Sequence, residues 1–494
     1  MPYQKLEKRF SRIAALGEAE AVLHWDLAAV MPKGGAQARS EQMAELRAVR
    51  HAMLTAPETG DLLAAADGAD GLDPWQRANL REMRRHWVKA TALSEDLVMA
   101  LARAELACEA VWRTARPAGD FGLVRPPLET LLTLVREAAQ AKAERQNLSM
   151  YDALLDDFEP GGRSADLEPL FAGLEAFIPE FLPRVLEKQA RQGEPRMPAG
   201  PFPQARQEAL GRRLMQALGF DFDHGRLDVS LHPFCGGVPD DVRITTRYDE
   251  ADFTSSLMGV LHETGHALYE RALPRAWRRQ PVGDALGMSM HESQSLLIEM
   301  QVCRSRAFME FAAPLMREAL GGDGPAWQPE NLYRLYTRVK PDYIRVDADE
   351  VTYPAHVILR YRLEKAMLEG DLAVADLPGA WNDGMRKLLG LTPPSDREGC
   401  LQDLHWYDGA WGYFPTYTLG AMTAAQLFDT ARRADPAIQD GIGKGEFRPL
   451  TDWLGRHVHG KGSLKSAREL LTEVTGRPLD STVFIAHLKT RYLD

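Results

Sequence analysis

Residues 128–145 read LETLLTLVREAAQAKAER. Leu128, Leu131, Leu132 and Val135 fall three and four apart. At about 3.6 residues per turn they form one apolar face of a helix, with Glu, Arg, Gln and Lys elsewhere on it. The same period runs through Leu93–Val111 and most of the chain, filled largely by Ala, Leu, Glu and Arg, which are good helix formers. The fold is therefore predicted to be mainly α. Gln192–Pro203 (QGEPRMPAGPFP) and Gly321–Pro325 (GGDGP) interrupt the pattern and read as loops. No internal repeat or low-complexity tract stands out.

The bulk composition agrees with a large folded body. The 494 residues, 45% hydrophobic and 26% charged, are enough for an extensive core. A net charge of −11 argues against a nucleic-acid partner, since phosphate backbones call for basic surfaces. No stretch approaches the ~18 consecutive apolar residues of a membrane helix, and the opening MPYQKLEKRFSRIAALG lacks the apolar segment of a secretion signal. A cytoplasmic protein is expected. Cys108, Cys235, Cys303 and Cys400 are scattered, so they are expected to be reduced, and a metal would have to use His and carboxylate ligands.

One region departs from the helical period. Arg226–Ser230 and Asp241–Tyr248 alternate apolar and polar residues on either side of the turn-rich HPFCGGVPD, which predicts a small antiparallel hairpin. A helix should start near Asp252–Ser256, where small polar side chains can cap free N–H groups, and run to about Arg271. That helix carries HETGH at 262–266. The i, i+4 spacing puts His262 and His266 on one face, where both can hold one ion. Glu263, turned by about 100°, is placed to flank that ion. Leu257, Leu261 and Leu268 lie away from the histidines, so the helix can be buried while its ligands face a cleft. A catalytic zinc takes a third protein ligand and leaves one position open. HESQSLLIE at 291–299 offers Glu292, with His291 and Glu299 as alternatives, and spacing alone does not choose among them.

Beyond HETGH and HESQ, the sequence carries HPF at 232–234, DVRIT at 241–245, IRVDAD at 344–349 and GCLQDLHW at 399–406. It also carries WDLAAVMPKGGAQARSEQ at 25–42 and GYFPTYTLG at 412–420. With these motifs in this order the chain resembles the carboxypeptidase Taq family of metallocarboxypeptidases over nearly its whole length. The resemblance implies a single catalytic domain over residues 1–494, a helical body with a deep central groove. Its N-terminal helical part, about 1–200, would form one groove wall, and the part about 201–494 would hold the metal. The resemblance further implies that Glu292 is the third zinc ligand, that cobalt can replace zinc, and that the protein is a homodimer. It implies broad removal of single C-terminal residues from peptides, proline being spared. Pro354 and Ala355 stand where asparagine and leucine are expected, and Ile298 where tryptophan is common. None of these is a ligand position, so they bear on substrate preference.

Amide hydrolysis requires an activated water, stabilisation of the carbonyl oxygen and a proton for the departing amine. Glu263 is the candidate base and acid. The resemblance points to His405 and Tyr417 as donors to the developing oxyanion. A carboxypeptidase must also recognise a free carboxylate, for which a guanidinium fork is suited. Arg345 is the first candidate, with Asp347, Asp349 and Glu350 as neighbours that could pair with it, and Arg243 is the second. An edge strand of the hairpin could pair with an extended peptide. An endopeptidase or dipeptidase with the same centre is the nearest rival. A structural zinc site is the more distant one, and it would have no use for an unligated acid at Glu263.

Overall fold

The structure is a computed structural model that describes residues 1–68 and 70–494. It contains twenty α-helices and one three-stranded sheet among those residues, so the mainly α prediction holds. None of the helices is long and apolar enough to cross a membrane. The first helix, Pro2–Ala29, and the helices Pro57–Asp67 and Pro74–Ala90 share a small core of Leu6, Phe10, Leu63 and Met83.

Two larger cores make up the rest. One joins Leu128, Phe171 and Ile178 to Tyr361, Trp381 and Trp406, which are distant in sequence. The other joins Leu214, Leu257, Leu261 and Phe308 to Leu427 and Leu454. The stretch at 128–145 behaves as its period predicts: Leu128, Leu131, Leu132 and Val135 are all buried. Helix Pro415–Ala434 serves both large cores, giving Leu419, Met422 and Ala425 to the first and Ala424, Leu427 and Ala431 to the second. It is the partition between them, and it packs on helix Gly287–Leu296.

The sheet corrects the predicted hairpin. β1 (Gly225–Val229) and β3 (Asp241–Thr246) are neighbours but run parallel, with Leu227 opposite Ile244. A second strand, β2 (Phe234–Val238), arises inside the segment read as a turn and pairs antiparallel with β3, giving the order β1-β3-β2. The glycines hid it. Gly237 has φ 82°, a conformation open to glycine, and a Cβ there would collide with the carbonyl of Asp241, so residues that read as turn formers serve a strand. Ile244 and Val242 face Val260 and Ala267 of the next helix in a small core of their own.

Candidate metal centre

That next helix runs Phe253–Ala272. Asp252 caps it, its Oδ1 accepting from the N–H of Thr254 at 2.8 Å. Leu257 and Leu261 are buried and Leu268 is half-buried, as its period requires. His262 and His266 emerge one turn apart on the other side. The following chain returns as helix Gly287–Leu296 and crosses Gly265, where a Cβ would lie 2.5 Å from the carbonyl of Gln294. The glycine inside HETGH thus allows two backbones to touch, and this contact brings Glu292 to the histidines. Ligand atoms of His262, His266 and Glu292 lie within 4.8 Å of one another. On Glu292's far side, helix Pro415–Ala434 approaches through Gly420, where a Cβ would sit 2.8 Å from the Glu292 side chain.

The two alternatives to Glu292 occupy the next layer. Glu299 lies on a π-helical stretch, Leu297–Cys303, and its Oε2 is 2.9 Å from His262 Nδ1, while Oε1 accepts from Arg304 at 2.5 Å. His291 bridges two groups: its Nδ1 is 2.6 Å from His266 Nδ1, and its Nε2 is 2.8 Å from Glu270 Oε1. One assignment of protons satisfies the whole chain: His266 donates to His291, and His291 donates to Glu270. His266 then turns Nε2 toward Glu292, 3.6 Å from its Oε2.

The electrostatics favour a cation here. Burial pulls His262 down, but its bond to Glu299 and the charges of Glu292, Glu299 and Glu263 outweigh that and lift it to about 10. Burial holds His266 well below its ordinary value, so it is a neutral donor of a lone pair. Two imidazoles and a carboxylate, ringed by further carboxylates, fit a divalent ion such as zinc or cobalt. Glu263 is buried and has no hydrogen-bond partner among the described residues. Desolvation first, then Glu292 and Glu299, raise it to about 7, against the opposing charge of His262.

Beside Glu292 lies a second cluster that brings together Arg345, His405 and Tyr417. Arg345 is buried. Its Nε and Nη2 donate to Asp403 Oδ1 at 3.1 and 2.8 Å, and its Nη1 donates to the Tyr353 hydroxyl at 2.7 Å. The ion-pair partner is therefore Asp403, distant in sequence, and not the neighbours Asp347, Asp349 or Glu350. Asp403 also accepts from Arg360 at 2.5 Å, so two buried guanidiniums share one carboxylate. Both hold Asp403 well below the usual carboxylate range despite its burial. His405 Nε2 is 3.2 Å from the Tyr417 hydroxyl. Burial, with Arg345 and Arg360 adding, pulls His405 down to about 4 against the pull of Asp403, which keeps it neutral. Arg243 is differently placed: it is bound through Nε and Nη2 to Asp241 and stacked 4.3 Å from the ring centre of Trp25. Asp403, Arg360, Tyr353 and Glu299 were not singled out as partners in the sequence. Asp403 lies within the GCLQDLHW motif, which was the only signal available for it.

A sequence profile of the carboxypeptidase Taq (M32) metallopeptidases matches residues 5–492. Thermostable carboxypeptidase 1 of Thermus thermophilus is 38% identical over 501 residues, covering 99% of this chain and 98% of its own. Among solved structures, metallocarboxypeptidase 1 of Trypanosoma cruzi superposes with a TM-score of 0.98 at 43% identity, covering 100% of this chain and 99% of the other. The M32 carboxypeptidase of Deinococcus radiodurans gives 0.94 at 35% identity, with 99% and 98% covered.

Proposed function

The chain belongs to the carboxypeptidase Taq (M32) metallopeptidase family and is a metal-dependent carboxypeptidase, and from this premise we propose how its residues divide the work. In this reading His262, His266 and Glu292 hold zinc, with cobalt able to replace it. The enzyme then removes single residues from peptide C-termini with broad specificity, sparing proline. The observation that carries the reading is the convergence of these three residues beside a buried Glu263 that has no hydrogen-bond partner among the described residues.

A bound zinc would supply Lewis acidity to the scissile carbonyl and make a neighbouring water more acidic. Glu263 takes the proton of the attacking water and delivers it to the departing amine. Its lack of protein partners and its lifted proton affinity suit a group that must both accept and release a proton near neutrality. Tyr417 and the neutral His405 donate hydrogen bonds as negative charge grows on the carbonyl oxygen. Glu299 and the His291–Glu270 pair are positioning residues, fixing the ring orientation of His262 and His266.

Charge balance separates the two arginine candidates. Arg243 and Asp241 neutralise one another, whereas Arg345 and Arg360 share Asp403 and leave one buried positive charge uncompensated. Such a charge is costly until an anion meets it, and a peptide's terminal carboxylate is that anion. We therefore assign the carboxylate to Arg345, with Arg243 as the second choice. β2, an edge of the sheet, is available to pair with the extended peptide backbone. We further propose a single catalytic domain acting as a cytoplasmic homodimer. Four unpaired cysteines support a reducing setting, and helix Glu95–Ala118 leaves Val98, Met99 and Leu106 exposed on one face for a partner copy.

The deciding experiment is mass spectrometry of a peptide pool incubated with metal-stripped enzyme, before and after zinc or cobalt is restored. Ladders losing one C-terminal residue at a time, stalling at proline and appearing only with metal, are expected. Internal fragments would transfer the centre to an endopeptidase and remove the role given to Arg345.

A further inference from the structure

A cavity of about 370 Å³ opens at the N-terminal end of the helix that carries Glu292, and none of His262, His266, Glu292, Arg345 or Tyr417 lines it. Its walls are apolar, with Leu167, Leu170, Met290, Leu419, Leu471 and Leu479 contributed by four helices and one loop. Its mouth carries charge: Arg468 and Asp166 pair at 2.7 Å and both border it. Beside the buried hydroxyls of Ser289 and Thr423, one buried ionisable side chain in the lining is out of keeping with the walls. Glu159 is 6% exposed, and among the described residues its carboxylate is hydrogen-bonded by Ser289 alone, whose N–H donates to Oε2 at 3.0 Å.

No cation among the described residues pairs with this carboxylate. The nearby Lys89 and Arg163 are both spent on Asp156. Burial is the main influence on Glu159 and lifts it to about 7, with the Ser289 hydrogen bonds opposing. A carboxylate facing an apolar cavity without a countercharge is an expensive arrangement that a cationic ligand would relieve. The cavity is large enough for a branched aliphatic chain, and its walls are suited to one.

We propose that this cavity is a second ligand site, taking a small molecule with a primary ammonium on an aliphatic body. The ammonium bonds Glu159 and the chain lies among the leucines. Two sources share that chemistry, simple alkylamines and free aliphatic amino acids. The latter are also what the enzyme releases, and their carboxylate would lie toward Arg468 at the mouth.

Isothermal titration of the metal-loaded full chain at pH 8 tests this with three probes, 3-methylbutan-1-amine, L-leucine and 3-methylbutan-1-ol. Two variants accompany the natural chain. E159Q removes the charge. A467F fills the cavity from its partly exposed wall and leaves Glu159 and the helix it caps intact, so it remains informative if E159Q folds poorly. The amine is expected to bind, with affinity reduced about tenfold or more in each variant, since a buried charged hydrogen bond is lost or blocked. Leucine binding that A467F abolishes would identify amino acids as ligands, and amine binding alone would restrict the site to ligands without a carboxylate. The proposal is overturned if neither amine nor leucine binds, if the alcohol binds as tightly as the amine, or if binding survives A467F unchanged.

Discussion

His262, Glu263, His266 and Glu292 come from two consecutive helices joined by a fourteen-residue connection, held together where Gln294 and Ser295 pass over Gly265. Arg345, Arg360, Asp403, His405 and Tyr417 come from four separate segments, and one shared carboxylate and the packing of aromatic rings hold them together. The first region is a local construction, in which helical periodicity pairs the histidines and one backbone crossing at Gly265 adds Glu292. The second exists only because a large core, joining Leu128 and Phe171 to Tyr361 and Trp406, has closed. On the proposed reading, the reactive centre stands on neighbouring elements and the recognition surface on distant ones. Damage to each should therefore read out differently.

Glu263→Gln should give the largest effect. Turnover is expected to fall by about a thousandfold, within the range for losing a general base, while metal content stays at one ion per chain. C-terminal ladder formation and elemental analysis on one preparation measure both. Retained activity would move the base elsewhere and dissolve the distinction between a reactive and a recognising region.

Arg345→Ala follows. Loss of a buried guanidinium that meets a carboxylate should cost about a hundredfold in kcat/KM on peptides with a free C-terminus. C-terminally amidated peptides, already poor substrates, should barely respond. Metal affinity should not change, because Arg345 belongs to the second region. An equal loss on both kinds of peptide would mean that Arg345 only supports the fold through Asp403.

How far these regions could be foreseen follows from the same contrast. The stripe at 128–145, the Asp252 cap and the paired histidines obey rules of three or four residues, and they appear in the structure as the sequence predicts. Glu292 was one of three candidates until the family resemblance singled it out. What separates it from Glu299 is a π-helical stretch, whose wider turn no periodicity announces, and a contact at Gly265 visible only once two helices are packed. The pairing of Arg345 with Asp403 was hidden because nearer acids offered themselves. The direction of β1 against β3 was hidden because β2 was disguised by glycines. In each case the missing information was a contact between residues far apart in the chain.

His291→Ala examines the first region from its second layer. Without His291, His266 keeps its place on the helix but loses the partner that fixes its ring. Metal affinity is expected to fall about 10- to 100-fold, as measured by competition with a chelator, with activity restored at high zinc. An unchanged affinity would show that Gly265 packing alone orients the ligands.

The smallest effect concerns how the second region is supported. Glu364 is fully buried between the Tyr151 hydroxyl and the indole N–H of Trp406, which donate to it at 2.5 and 3.0 Å, and Trp406 adjoins His405. Burial raises its carboxyl to about 7, with those hydrogen bonds opposing. Its folded proton affinity thus exceeds its unfolded one, so the folded state holds more protons between pH 4.5 and 7. Stability from this group is full below that window and is lost as pH rises through it, by up to about 3 kcal/mol. Asp403 and Glu350 have the opposite sign, being held low by Arg345, Arg360 and Arg491, and their contribution is lost only in stronger acid. Glu364→Gln keeps an acceptor for Trp406 and cannot ionise. Its melting temperature should therefore drop less than the natural chain's on going from pH 5 to pH 8, by roughly 2–5 °C. Asp284 and Glu159, also lifted to about 7 by burial, remain in both proteins and leave part of the slope in place. Identical slopes would mean that water reaches Glu364. The recognising region would then rest on a wetter and looser support than the reactive one.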